Sequence, residues 1–191
     1  MDRLARVVAA FAARPPVVVD DPARPQAAVA LVVVPDPDRV LLIRRAERAG
    51  DPWSGQLALP GGRRDATDLD LLHTAIRETE EETGLVLPRE RHRATLDDLA
   101  PVTPVLPPIL VRPHLFHLEF AGAVGLSDEV AHAAWVELAA LADPGTYRDT
   151  AIEVRGAPRT VPGYHLPEGF LWGMTERILT PVIRAWRDLG G

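Results

Sequence analysis

Leu59–Leu85 reads LPGGRRDATDLDLLHTAIRETEEETGL and holds a glycine pair, a helical pattern and a stop signal in one run. From Leu69 to Thr83 the apolar positions Leu69, Leu72, Ala75, Ile76 and Thr79 recur at intervals of three and four, which predicts a helix. Gly84 follows as its C-cap. Residues three and four apart share a helix face, so the carboxylates of Glu78, Glu81 and Glu82 are expected to converge. Like charges at that spacing destabilise a helix by roughly 0.2–0.5 kcal/mol per pair unless something offsets them. A divalent cation would do so. Clustered carboxylate oxygens are hard ligands that suit Mg²⁺ or Mn²⁺ better than zinc. Arg77 stands four residues before Glu81 and can hold that carboxylate by a bidentate pair. Gly61 and Gly62 let the backbone approach a metal or a phosphate closely. An isolated acidic run usually marks a solvated face. Here Arg-Glu-x-x-Glu-Glu-x-Gly-Leu follows Pro-Gly-Gly at a short remove.

That combination resembles the Nudix box, Gly-x5-Glu-x7-Arg-Glu-U-x-Glu-Glu-x-Gly-U, where U is apolar. Arg77, Glu78, Glu81, Glu82, Gly84 and Leu85 match its second half, with Thr79 standing at an apolar position. The first half departs from it. Asp68 stands where the box has glutamate, and the gap from Asp68 to Arg77 is one residue longer. Outside the box, Leu41-Leu42-x-Arg-Arg-Ala and Ser54-Gly55-Gln56-Leu57-Ala58-Leu59-Pro60-Gly61-Gly62 resemble the coenzyme A diphosphatase subfamily. Ile43 and Leu59 replace the Thr and Phe of that pattern, and the loop 46–54 is one residue longer with no Arg at its far end. Ser127-Asp128-Glu129-Val130 is similar to the segment where many Nudix proteins carry a further acid.

The resemblance implies a Mg²⁺-dependent (or Mn²⁺-dependent) hydrolase that cleaves the pyrophosphate bond of a nucleoside diphosphate derivative. Coenzyme A or an acyl-coenzyme A is the favoured substrate, with ADP-ribose the alternative. It implies Glu78, Glu81 and Glu82 as metal ligands, and Glu81, Glu129 and Arg77 as catalytic residues. Arg44, Arg45, Arg63, Gly61 and Gly62 would hold the substrate. A nucleotide-sensing Nudix module without turnover is the rival reading. Such modules usually lose box acids, and here Arg77, Glu78, Glu81 and Glu82 are intact.

Outward from this segment the chain alternates strand and helix signals. Residues 3–13 read as an amphipathic helix stopped by Pro15-Pro16, and 17–25 as an extended lead-in. Ala27–Val34 and Arg39–Arg44 flank the turn Asp36-Pro37-Asp38 and predict a hairpin. Residues 46–58 read as a loop. Beyond the box, Pro108–Val111, His114–Phe120 and Glu129–Val136 look like strands. The stretch 143–169 reads as a long loop or irregular hairpin, and Phe170–Leu189 as a last helix bent at Pro181. The expected class is α+β: a Nudix-type α/β/α sandwich with a mixed sheet between helices, as a single domain over 1–191.

Composition narrows the partners. The net charge of −6 argues against a general nucleic-acid binder. The absence of cysteine excludes disulfides and thiolate chemistry and fits a cytoplasmic protein. No apolar run is long enough to predict a membrane span. All non-histidine bases are arginine, whose planar fork suits phosphate. The expected partner is a small nucleotide, and a homodimer is compatible with the chain. His114 and His117, three apart on a strand, would face opposite sides and do not read as a zinc pair. Trp172 reads as a core residue. Ser54-Gly55 lacks a nucleophile-elbow context, and Gly61-Gly62 lacks the Lys of a P-loop.

Overall fold

The computed structural model describes residues 2–21, 23–51, 53–101, 107–154 and 156–190. Asp2 caps a first helix, α1 (Arg3–Ala12), by accepting from the Ala5 N–H. The β-branched run of β1 (Gln26–Val34) turns back into β2 (Arg39–Arg45). Short strands β3 (Leu57–Ala58) and β4 (Gly61–Arg63) lead to α2 (Leu71–Thr83). There follow β5 (His92–Thr95), β6 (Leu110–His117), β7 (Val130–Glu137) and α3 (Leu138–Ala142). A hairpin of β8 (Tyr147–Val154) and β9 (Ala157–Leu166), then β10 (Gly169–Trp172) and α4 (Gly173–Asp188), complete the chain.

The main sheet runs β3-β2-β1-β6-β5, with β4 added to β1 and β7 added to β2. β1 and β6 are parallel and the other pairs antiparallel, so the sheet is mixed. Period-two alternation sorts its side chains onto two faces. Ala28, Ala30 and Val32 of β1 and Leu41 of β2 pack with Leu71 and Ala75 of α2. Leu31, Val33, Val40 and Leu42 face the other way, against α1, α3 and α4. The arrangement is an α/β/α sandwich, as the resemblance implied. Trp186 Nε1 donates to Asp38 at 2.6 Å and ties the end of α4 to the β1–β2 turn. Among the described residues no helix is long and apolar enough to cross a membrane.

Several boundaries differ from the expectation. Leu69 is 82% exposed. It precedes the helix because Asp70 takes the N-cap, its side chain accepting from His73 N–H at 2.7 Å. The two strand-like runs around residue 110 are one strand, β6, which passes through Pro113. Pro113 contributes its carbonyl to Leu96 N–H beyond the end of β5, where the missing N–H breaks no rung. The stretch 143–169 is largely a regular hairpin that forms a second sheet with β10. The last helix therefore starts at Gly173, not at Phe170.

Candidate active site

Antiparallel partners change along β1: Val33 and Val34 pair with β2, while Ala27 to Val29 pair with β4. A cleft of about 430 Å³ borders this switch. α2 crosses the sheet there and presents Glu78 and Glu82, one turn apart, to it. Thr79, at an apolar position of the box, is fully buried because its hydroxyl donates to Ala75 O at 2.7 Å.

Glu82 is 3% exposed and its Oε2 accepts from Gly61 N–H at 2.8 Å. Arg45 lies 3.7 Å from its other oxygen. Burial pushes the Glu82 carboxyl up to about 7, against the Gly61 N–H and Arg45, and repulsion from Glu78 and Glu129 adds to the rise. Burial also raises Glu78, partly offset by Arg77. Glu129 lines the same cleft from the loop before β7, where Arg48 Nη1 donates to it at 3.0 Å.

Arg77 has a different geometry from the one expected. Its bidentate pair is with Asp68, Nε to Oδ1 at 2.9 Å and Nη2 to Oδ2 at 3.0 Å. Asp68 also accepts from Thr74 Oγ1 and Asp65 N–H; the Arg77 pair foremost, with these two bonds, holds its carboxyl well below the usual range against the effect of burial. Glu81 receives one bond, from Arg77 Nη1 at 2.9 Å, and the same nitrogen lies 2.9 Å from Glu78. Arg77 further donates to Arg63 O. Asp68 departs from the box in type and spacing, yet its shorter carboxylate reaches the guanidinium.

The structure thus gathers Glu78, Glu82, Glu129, Arg45, Arg63, Gly61 and Gly62 around one cleft. Glu81 meets Arg77 with its side chain 58% exposed and does not line the cleft, and among the described residues the three box carboxylates do not form one cation-holding group. Arg44, adjacent to Arg45 on β2, is exposed and is not among the residues lining the cleft. Trp172 is half-buried and lines the cleft, contrary to the core position expected. Composition gave no signal for Trp53, Met174 or Ile109, which also line it. His114 Nδ1 lies 3.2 Å from His92 Nε2, a cross-strand pairing invisible to the His114–His117 spacing.

A cation fits this donor set, though no three acidic or histidine groups among the described residues stand ready to surround one. Glu78 and Glu82 supply hard oxygens, are both raised by burial, and repel each other and Glu129. Mg²⁺ commonly takes one or two carboxylates and completes its shell with water and phosphate oxygens.

The two glycines contribute differently. A Cβ on Gly61 would collide with Ala28 O and Val29 of the backbone, whereas the nearest atoms to one on Gly62 are those of the Glu78 carboxylate. Gly61→Ala is expected to destabilise the fold by about 1–3 kcal/mol, the cost of overpacking. Gly62→Ala should unfold near the wild-type midpoint and lose turnover by displacing Glu78. Urea unfolding and initial rates on both variants check this, and equal stabilities would contradict it.

The NUDIX domain family model matches residues 24–154. The Nudix hydrolase NudL of Cronobacter sakazakii is 32% identical over 163 residues, covering 81% of this chain and 79% of that one. The mouse mitochondrial coenzyme A diphosphatase NUDT8 is 37% identical over 91 residues, 44% of this chain and 43% of that protein. Against that mouse protein and a fission-yeast relative, the match spans less than half of the relative's own length. A MutT/nudix family protein from Enterococcus faecalis superposes with a TM-score of 0.60 at 18% identity, over 98% of this chain and 69% of that one.

Proposed function

This chain belongs to the Nudix family, and we propose that it hydrolyses the diphosphate bond of a nucleoside diphosphate derivative, with coenzyme A or an acyl-coenzyme A as the favoured substrate. The products would be 4′-phosphopantetheine, or its acyl form, and adenosine 3′,5′-bisphosphate. The observation that carries this reading is the pair of Glu82, buried beside Gly61, and half-buried Glu78, facing a cleft that also holds Glu129, Arg45 and Arg63.

Glu78 and Glu82 would hold Mg²⁺ or Mn²⁺. Such a cation, when bound, neutralises diphosphate charge and stabilises the leaving phosphate. Arg63 and Arg45 meet the phosphates from the cleft wall, where an arginine fork matches phosphate oxygens. Arg77 positions carboxylates and does not touch substrate. It links Glu78 and Glu81 to the buried Asp68 and keeps Glu78 in place. Glu129, from the loop before β7, orients the attacking water or takes its proton. Its bond to Arg48 joins two exposed side chains and is easily exchanged. Glu129→Gln is expected to lower kcat while leaving cation affinity, read by titration calorimetry, nearly unchanged. Wild-type kcat in that variant would make Glu129 a bystander.

The substrate preference is supported by the SGQLALPGG run and by the likeness to a coenzyme A diphosphatase. The test is kcat/KM with Mg²⁺ for coenzyme A, dephospho-coenzyme A, ADP-ribose and NADH, with products read by mass. A 3′-phosphate that gains one desolvated charge-assisted contact adds roughly 1.5–3 kcal/mol, tenfold or more. Coenzyme A is expected to rank first. A tenfold preference for ADP-ribose would remove the coenzyme A reading and leave the diphosphate hydrolase.

A further inference from the structure

One wall of the cleft is apolar. Ala27, Ile109 and Val111 are buried together, and Val29, Trp53 and Met174 pack against them. The same cleft is lined by this wall and by Glu78 and Glu82. Val29 pairs with Gly61, whose N–H bonds Glu82, and Ala27 pairs with Arg63 on one side and Val111 on the other. Neighbouring strands lie about 5 Å apart. A group esterified directly to a phosphate at Glu82 therefore meets this wall with its first few atoms.

Taking the hydrolase reading above as its basis, we infer that this wall selects the group carried on the second phosphate, admitting an aliphatic alcohol and rejecting a sugar. Four of its six side chains, Ala27, Val29, Ile109 and Val111, have no hydrogen-bonding atom; Met174 has only a thioether sulfur, a weak acceptor, and Trp53 only an indole N–H. Among the described residues that line the cleft, the neutral polar side chains without a ring are Gln56 and Thr175, the latter at the start of α4. A sugar pressed against the wall buries hydroxyls without partners, which costs roughly tenfold or more in binding for each. An aliphatic group gains roughly fourfold for each methylene it buries. Met174, with Trp172 and Ile178 further along the cleft, comes from β10 and α4, beyond residue 154 where the family match ends.

The experiment compares the hexyl ester of ADP with ADP-ribose under the same Mg²⁺. The two share adenosine and the diphosphate and differ only in the group on the second phosphate. The wild-type protein is expected to favour the hexyl ester at least tenfold in kcat/KM. Met174→Gln places an amide in the wall at a half-buried position and should lower that ratio fivefold or more, mainly through KM. Both compounds are also titrated against the Glu82→Gln protein, so that the preference is read as a Kd ratio independent of turnover. Equal or better use of ADP-ribose overturns the inference, whether or not coenzyme A is cleaved. A Met174→Gln effect of equal size on both compounds also overturns it, because the wall would then hold the shared adenosine. Failure to bind either compound overturns it together with the hydrolase reading. A hexyl preference without cleavage of coenzyme A upholds the wall and removes only the coenzyme A assignment.

Discussion

Glu82→Gln is expected to lose at least two orders of magnitude in turnover while keeping its fold. The side-chain oxygen of Gln can still accept from Gly61 N–H, so the backbone contact between α2 and β4 survives. The variant lacks the negative charge that a buried carboxylate brings to a cation and its phosphates. Removing one main electrostatic contributor typically costs about 10²–10³ in rate. Initial rates with Mg²⁺ and with excess EDTA provide the measurement, and near-normal turnover in the variant, or full wild-type activity in EDTA, would sink the metal reading. The same group predicts a pH dependence. The folded carboxyl is raised from 4.5 to about 7, so the folded metal-free protein holds this proton more tightly than the unfolded chain. Its contribution to stability is complete below about pH 4.5 and is lost as pH rises through 7. At about 1.4 kcal/mol per pH unit the loss is on the order of 3 kcal/mol. In EDTA, Tm should fall between pH 5 and 8 in the wild type and fall less in Glu82→Gln, which resembles the protonated form. A wild-type Tm that rises over that window would contradict the burial argument.

Arg77→Met should be the most destabilising single change in the box. Asp68 has no exposed side-chain surface, and two of its bonds come from Arg77. Removing one partner of a buried pair leaves an uncompensated charge and costs roughly 3–5 kcal/mol. For a chain of this size a loss of that order lowers Tm by about 6–20 °C, at 2–4 °C per kcal/mol. Arg77→Lys should recover little, since an ammonium cannot supply the two parallel bonds. The double variant Asp68→Asn/Arg77→Met should be more stable than the sum of the single losses, because the stranded charge is gone. Urea unfolding of the four proteins gives the cycle. If Arg77→Met unfolds within 1 kcal/mol of wild type, the pair is not what anchors the loop before α2. Turnover should fall as well, since Glu78 loses the guanidinium that holds it.

The helix of the box, its glycine cap, the β1–β2 hairpin and the sandwich class were all legible in the residues. Each is set by local chemistry: the three-and-four spacing of apolar positions, the αL conformation at Gly84 and a turn between two β-branched runs. Glu78 and Glu82 were legible for the same reason, because a box of fixed spacing on one helix carries them, whereas Glu129 of the loop before β7 was named only by resemblance. Tertiary structure decided the rest. Spacing alone allowed Glu81 to converge with Glu78 and Glu82. Asp68, brought in by the loop before α2, captures Arg77, and Arg77 then takes the exposed Glu81, which does not line the cleft. The identical-looking neighbours Arg44 and Arg45 separate because successive residues on a strand face opposite sides of the sheet, and only Arg45 meets the cleft. Trp53, Ile109 and the Trp172–Met174 segment come from three places far apart in the chain and have no shared period for a sequence to display. The pairing of β1 with β4 and β6, and the docking of α4, bring them to one wall. A local pattern records which residues a helix or strand places on one face, whereas a cleft is made by the faces of different elements, and their contacts are set only when the sheet assembles.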